Sequence, residues 1–377
     1  MKISAVILLC LIVMVISACN SAGVARMPPA DAAKSAGTEP AIKYTGRLPF
    51  DEVKRILSGG VAGYFTVREG DRPLAVPVLY EYSVELQRIY IRGVENDDAR
   101  VLEALRKDSR VIFTVDKHTD IPARRAHASE PTPTSWTSIH IFGTARARTK
   151  DIEIIPEVIT AKRVGMSEFQ GEHAPMMILD KTGKALDVVA PLPQDNPKVT
   201  AYRAKDAHLE NPPVWVNGDN GRALTESILY RNLVGRLHTI GTEYPYSVPV
   251  NHTYYNGRIY IHSRGATSLK ILNIQGNPNV CYTTEWFGNN IPWISVLVSG
   301  QARLIYADDE EYRKVGRVIM NRLQGSADDD PSGAEMSAAG SGAILIEITP
   351  EIVSLKTITI PSETYYKMPG TKTEKGY

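Results

Sequence analysis

One stretch of the chain concentrates side chains that can hold an anion or carry a proton. Between Gly235 and Ser263 stand His238, His252 and His262, and Ser263 follows the last of them directly. His262 and Ser263 close the segment "YPYSVPVNHTYYNGRIYIHS", Tyr244 to Ser263, which reads as a β-hairpin. Its first half alternates around Val248-Pro249-Val250, and Asn256-Gly257 supplies the positive φ that a type I′ turn needs at both central residues. Two polar groups able to bind an anion or a cofactor therefore sit where a strand ends. The three histidines lack the tight spacing of a metal site. No nucleophile elbow, P-loop or glycine-rich dinucleotide fingerprint occurs elsewhere.

The elements that must position these groups occur twice. "LAVPVLYEYSVELQRIYIRG", Leu74 to Gly93, repeats the Val-Pro-Val and the Ile-Tyr-Ile around a hairpin two residues longer. A short helix follows each hairpin, with Val101, Leu102 and Leu105 as its apolar positions in the first copy and Ile271 and Leu272 in the second. Strands "VIFTV" (Val111 to Val115) and "VCYTT" (Val280 to Thr284) come next. "WTSIHIFGTARA" (Trp136 to Ala147) and "WISVLVSGQARL" (Trp293 to Leu304) share Trp, Ser, Gly and Ala-Arg at identical spacing. A charged helix is expected after each, over Ile152 to Arg163 and Asp308 to Leu323, and a last strand at Pro175 to Leu179 and Ala343 to Ile348. Six elements in the same order mark a tandem duplication. Mostly antiparallel strands with few helices point to two small closed barrels, a mainly β (α+β) fold with short helices.

Both copies resemble the split β-barrel flavin-binding proteins of the pyridoxamine 5′-phosphate oxidase type. The second copy is similar to the nitroimidazole-resistance branch through Gly235 to Ser263, Lys270, "NPNVCY" and "WISVLVSGQARL". The resemblance implies two tandem FMN-binding split β-barrels forming an intrachain pseudo-dimer, with flavin in a groove between barrels. It assigns the flavin phosphate to the end of the second hairpin strand and the start of the next helix, hence to His262, Ser263 and Lys270. A phosphate there is served by a cation, hydroxyl or backbone donors and the positive end of a helix. The alternative is that His262 caps a strand and Lys270 is a solvated helix residue.

In the first copy Arg92-Gly93 replaces His262-Ser263, and Arg100 falls where Lys270 falls. Two arginines can bind phosphate, but Glu95, Asp97 and Asp98 lie between them and repel it. The resemblance further implies Asn251 as a ring contact and places Ser295 and its counterpart Ser138 on strands that reach the cofactor. Trp136 and Trp293 fit core or interface packing as well as flavin stacking. His140 stands where the second copy has Leu297, either as a satisfied core residue or facing the groove.

The implied activity is reduction of a small organic acceptor, nitroaromatic or quinone-like, with the flavin carrying the electrons. Split barrels also bind haem or other tetrapyrroles, in which case His252 or His262 is the expected axial ligand. A cofactor-free scaffold is the third reading.

The 377 residues carry a formal net charge of +1, which argues against nucleic acid as a partner and against strong binding to anionic lipid. Met1 to Ala18 reads as a signal peptide, and Ile16-Ser17-Ala18-Cys19 resembles a bacterial lipobox with Cys19 as the lipidated residue. An ordinary signal peptide with an incidental cysteine is the alternative. Residues 19–43 read as a flexible tether, 44–193 as the first repeat, 194–224 as a linker, 225–362 as the second repeat and 363–377 as a tail. A lipid-anchored protein of the bacterial cell envelope is expected, facing the periplasm or at the outer membrane. Cys281 would then be the only free thiol of the mature chain, in an apolar run that reads as core.

Overall fold

The computed structural model describes residues 42–60, 62–92, 99–119, 134–148, 151–166, 212–232, 234–264, 267–286, 293–323 and 343–358. Cys19, the tether, the strand expected at 175–179 and the tail lie outside them. The first copy runs β1 (Lys43–Tyr44), α1 (Phe50–Gly59), β2 (Ala62–Glu69), β3 (Arg72–Ser83), β4 (Arg88–Arg92), α2 (Ala99–Lys107), β5 (Arg110–Thr119), β6 (Thr134–Ala147) and β7 (Asp151–Met166). The second runs β8 (Val214–Trp215), α3 (Gly218–Arg231), β9 (Val234–Ile240), β10 (Pro245–Asn251), β11 (Thr253–Tyr255), β12 (Arg258–Arg264), α4 (Leu269–Gly276), β13 (Asn279–Trp286), β14 (Trp293–Tyr306), α5 (Glu310–Leu323) and β15 (Ala343–Ile358).

In the first copy the sheet order β7-β4-β3-β2-β5-β6 closes where β6 returns to β7, giving a six-stranded barrel with β1 added in parallel to β7. Closure removes the free edges that an open sheet would present. The second sheet follows the order β10-β9-β13-β14-β15-β12-β11. Its two ends, β10 and β11, are consecutive in the chain with only His252 between them. Each barrel encloses its own core: Phe65, Val67, Phe113, Ile139 and Ile141 in one, and Leu237, Tyr282, Val296, Val298 and Ile346 in the other. Strand alternation sends the intervening side chains outward.

The hairpin turn behaves as its residues require, with φ of 51° at Asn256 and 71° at Gly257. Helix α2 buries Val101, Ala104 and Leu105. In α4, Ile271 and Ile274 are the buried positions, and Leu272, expected on that face, is 47% exposed.

One expected element is different. Residues 152–163 are part of strand β7, not a helix. Pro156 in a helix interior would forfeit a hydrogen bond and clash with the preceding turn, and Ile152, Ile154, Ile155, Val158 and Ile159 favour a pleated sheet. A β-bulge accommodates the proline: Phe142 pairs with Val158 but Gly143 with Pro156, leaving Glu157 as the extra residue. The second copy repeats the device, with Ser299 opposite Ile352, Gly300 opposite Pro350 and Glu351 left over. Gly143 and Gly300 are required, because a Cβ on either would collide with the carbonyl of Ile155 or Thr349. The equivalent of β7 is therefore β15, and α5 is an addition of the second copy, covering Tyr255, Tyr260, Ile305 and Leu345.

The segment expected as a linker contributes to the second barrel. β8 pairs in parallel with β15, and α3 buries Ala223, Ile228, Leu229 and Tyr230.

Candidate functional site

The two barrels meet along the outward faces of their strands. The bulged glutamates lead this contact, each reaching the hairpin of the other barrel: Glu157 accepts from the Tyr244 hydroxyl, and Glu351 pairs with Arg72. A bulge re-aims a side chain that a regular strand would hold in line. Between these clamps, Tyr64 Oη lies 2.7 Å from Ser295 Oγ, and Thr66 Oγ1 lies 3.0 Å from His238 Nδ1. Arg236 places its guanidinium 4.7 Å from the Tyr64 ring centre and pairs with Asp116 across the boundary, with Glu285 at 3.6 Å. Burial, with Glu285 nearby, pushes the Tyr64 hydroxyl well above its ordinary pKa, so it stays protonated. Burial, then Arg236 and His140, holds His238 neutral.

The anion-holding candidates of the second barrel stand at the end of β12 and the start of α4. Ser263 is 2% exposed, and its Oγ has no hydrogen-bond partner among the described residues. Ser268, the residue before α4, likewise leaves its Oγ unpartnered, while its carbonyl accepts from Ile271 and Leu272. Lys270 stands in the first turn of α4, half-buried, and no carboxylate pairs with it among the described residues. Its pKa is pushed down to about 8, first by burial and then by Lys162 of strand β7. A buried hydroxyl without a partner and a partly buried ammonium without a counterion each cost stability. An anionic ligand seated among them removes both costs.

The first barrel supplies the facing wall. Phe142 packs edge-on against Tyr244 at 5.9 Å between ring centres, and Val158 joins the same apolar contact. His140 and Ser138 follow Phe142 at alternate positions of β6, and Lys162 pairs with Ser138 from β7. His140 Nε2 lies 2.8 Å from Ser138 Oγ. Burial, then the Lys162 charge, pushes the His140 pKa down to about 3, so the ring is neutral at ordinary pH.

The sequence-derived candidates thus separate. Ser263 is buried near the end of β12 and Lys270 lies in the first turn of the next helix, whereas His262 is exposed on the other face of β12, with Nε2 3.4 Å from the Tyr312 hydroxyl of α5. Asn251 is exposed at the end of β10, on the face that carries buried Ser247, whose Oγ is also unpartnered. Ser138 backs His140, and Ser295 is engaged by Tyr64. Arg100 is held by both carboxylate oxygens of Glu69, and Arg92 by Glu81 and Asp151. The first-copy arginines are therefore already neutralised. The side chains of Trp136 and Trp293 lie outside the described residues.

His252 is structural. Its Nε2 lies 2.9 Å from the Leu229 carbonyl, which can only accept, so Nε2 carries the proton. Nδ1 then accepts from the Tyr282 hydroxyl at 2.6 Å. Tyr80 occupies the matching place in the first copy and donates to the Leu57 carbonyl at 3.1 Å. Both imidazole nitrogens are used, which removes His252 as an axial ligand. Cys281 is buried, and burial raises its thiol to about 11. Among the described residues no group of three His, Cys, Asp or Glu is placed to hold a metal ion, and no helix is long and apolar enough to cross a membrane.

Sequence reasoning missed Lys162, Ser268 and Ser247. A signal for Lys162 existed: "PEVITAK" (Pro156 to Lys162) matches "PEIVSLK" (Pro350 to Lys356), but the first of these sat in the stretch read as a helix.

Residues 50–165 and 222–357 each match the family model described as pyridoxamine 5′-phosphate oxidase. Together they cover more than half of the chain, which belongs to that family as two copies in tandem. Among solved structures the chain is similar to an FAD-binding protein from Mesorhizobium loti, at 24% identity over 36% of this chain and 93% of that one, with a TM-score of 0.28. It is also similar to the flavocytochrome Anf3 from Azotobacter vinelandii, at 16% identity over 37% of this chain and 71% of that one, with a TM-score of 0.30. The FAD-binding protein from Mycobacterium smegmatis matches at 19% identity over 31% and 94%, with a TM-score of 0.23. At these TM-scores none of the three bears on the site. No curated protein matches the chain.

Proposed function

We propose that this chain is a flavoprotein that takes FMN in the groove of its second barrel. The observation that carries the reading is Ser263 at the end of β12 with Ser268 and Lys270 at the start of α4: among the described residues the two hydroxyls find no partner and the ammonium no carboxylate. Family membership supports the flavin, and one set of anion-holding groups at the start of α4 suits the terminal phosphate of the mononucleotide. Lys270 supplies charge, the two serines supply hydroxyl donors, and the positive N-terminal end of α4 adds to them. Asn251 and Ser247 offer polar contacts along β10 for the ring. When bound, the flavin supplies the electron-carrying chemistry. The protein positions it, excludes water and holds His140 and His238 neutral beside the groove.

The activity that follows is reduction of a small organic acceptor of nitroaromatic or quinone type. The reading places the protein at the bacterial cell envelope, anchored through lipid on Cys19. The lipobox-like Ile16 to Cys19 supports the anchor, and incorporation of labelled palmitate, lost in Cys19→Ala, tests it.

Protein spanning residues 43–377 should acquire a structured flavin absorbance spectrum on addition of FMN. After anaerobic reduction with dithionite it should be reoxidised by a nitroaromatic or a quinone. No spectral change at micromolar FMN would overturn the reading. A Soret band on haem addition that disappears in His262→Ala would establish the tetrapyrrole alternative instead.

A further inference from the structure

The duplication has left two equivalent sets of residues, one per candidate groove, that differ on both sides. In the first groove Arg100 is held by Glu69, and Arg92 is held between Glu81 and Asp151. The second-barrel strand that stands opposite carries Leu297 where β6 carries His140. In the second groove Lys270 has no carboxylate among the described residues, Ser263 Oγ is buried without a partner, and the facing strand presents His140 backed by Ser138. The strip Phe142, His140, Ser138 starts against Tyr244, directly before β10, and runs toward the end where Lys162 approaches Lys270.

Resting on the flavin reading above, we propose that the chain holds a single flavin, in a composite groove whose ring-facing wall is His140 of the first barrel. The first groove is an ion-paired seam. His140 is the ring contact and Ser138 positions it: the hydrogen bond between Ser138 Oγ and His140 Nε2 fixes the imidazole so that its remaining ring nitrogen meets the flavin ring system. The anion-holding groups come from the second barrel and the ring contact from the first, so neither copy alone builds the site. Leu297 cannot make the equivalent hydrogen bond in the other groove, and Arg92 and Arg100, the cations the first copy offers among the described residues, are already paired with carboxylates.

FMN and riboflavin separate the two walls, because riboflavin has the ring without the phosphate. Fluorescence titrations of the full mature chain should give one flavin per chain. Lys270→Ala should weaken FMN roughly tenfold or more and leave riboflavin unchanged. His140→Leu, which installs the residue of the other copy, should weaken FMN and riboflavin by the same factor, roughly tenfold, and shift the bound absorbance spectrum. His140→Gln, which keeps a hydrogen-bonding group, should restore most of the affinity for both, and melting curves of each variant report whether it is folded. Two flavins per chain, or a folded His140→Leu protein with unaltered affinity and spectrum, would overturn the proposal while leaving the flavin reading intact. Wild-type protein that binds neither compound would remove the reading beneath it.

Discussion

At the scale of single residues, the groove is defined by what lacks a partner. Buried hydroxyls normally find acceptors or donors, and Ser263 and Ser268 do not among the described residues. Lys270 is the sharper case, because burial and Lys162 both disfavour its charge and bring its pKa down to about 8. A phosphate binds the protonated form, so affinity should be level from about pH 7 to 8, where the phosphate is a dianion, and fall as pH rises through and beyond 8. The shift also has a consequence without ligand: the unfolded chain holds this proton more tightly, so the lysine destabilises the fold at neutral pH, and that penalty is relieved progressively as pH rises from about 8 to the ordinary lysine value of 10.5. Isothermal titration with FMN from pH 6 to pH 9.5 checks the binding prediction. A profile that is flat through pH 9 would show that Lys270 does not hold the phosphate. His252 shows the opposite condition. It was a candidate ligand on residue type, yet both of its nitrogens are satisfied within the barrel.

At the scale of elements, the bulges in β7 and β15 do most to set the geometry. Each lets a proline into a central strand and turns one glutamate toward the other barrel. Gly300→Ala should therefore destabilise the protein by about 1–3 kcal/mol, through overpacking against the Thr349 carbonyl. Chemical denaturation measures it, and a change within experimental error would show that the bulge is not under that constraint. The same bulge explains why part of the fold was misread. Ile152 and Ile154 face the core, but after the extra residue the inward positions become Ile159 and Ala161. A period of two that slips by one residue imitates helical spacing over a dozen positions. The Asn256-Gly257 turn and the paired Trp-to-Arg stretches were legible because nothing interrupts their alternation. Ser263 and Lys270 were legible only through the family pattern. Lys162 was hidden, since its role depends on a strand from the other copy.

At the scale of the whole molecule, duplication within one chain changes what a family site can become. In a dimer of identical subunits both grooves carry the same residues. Here each copy could change separately, and Arg100 with Glu69 on one side and Lys270 without a carboxylate on the other mark the divergence. The same independence allowed Tyr64 and Arg236, which stand at matching places on β2 and β9, to become a stacked pair across the boundary. Polar groups at this contact are buried with partners from the other barrel, as with Tyr64 and Ser295 or Thr66 and His238. The two barrels thereby fix the groove from both sides. The most direct measurement is a crystal structure of residues 43–377 grown with FMN. The phosphate is expected within hydrogen-bond distance of Ser263, Ser268 and Lys270, with the ring against His140 and the first groove free of flavin. A phosphate held by Arg92 or Arg100, or flavin in both grooves, would contradict the account.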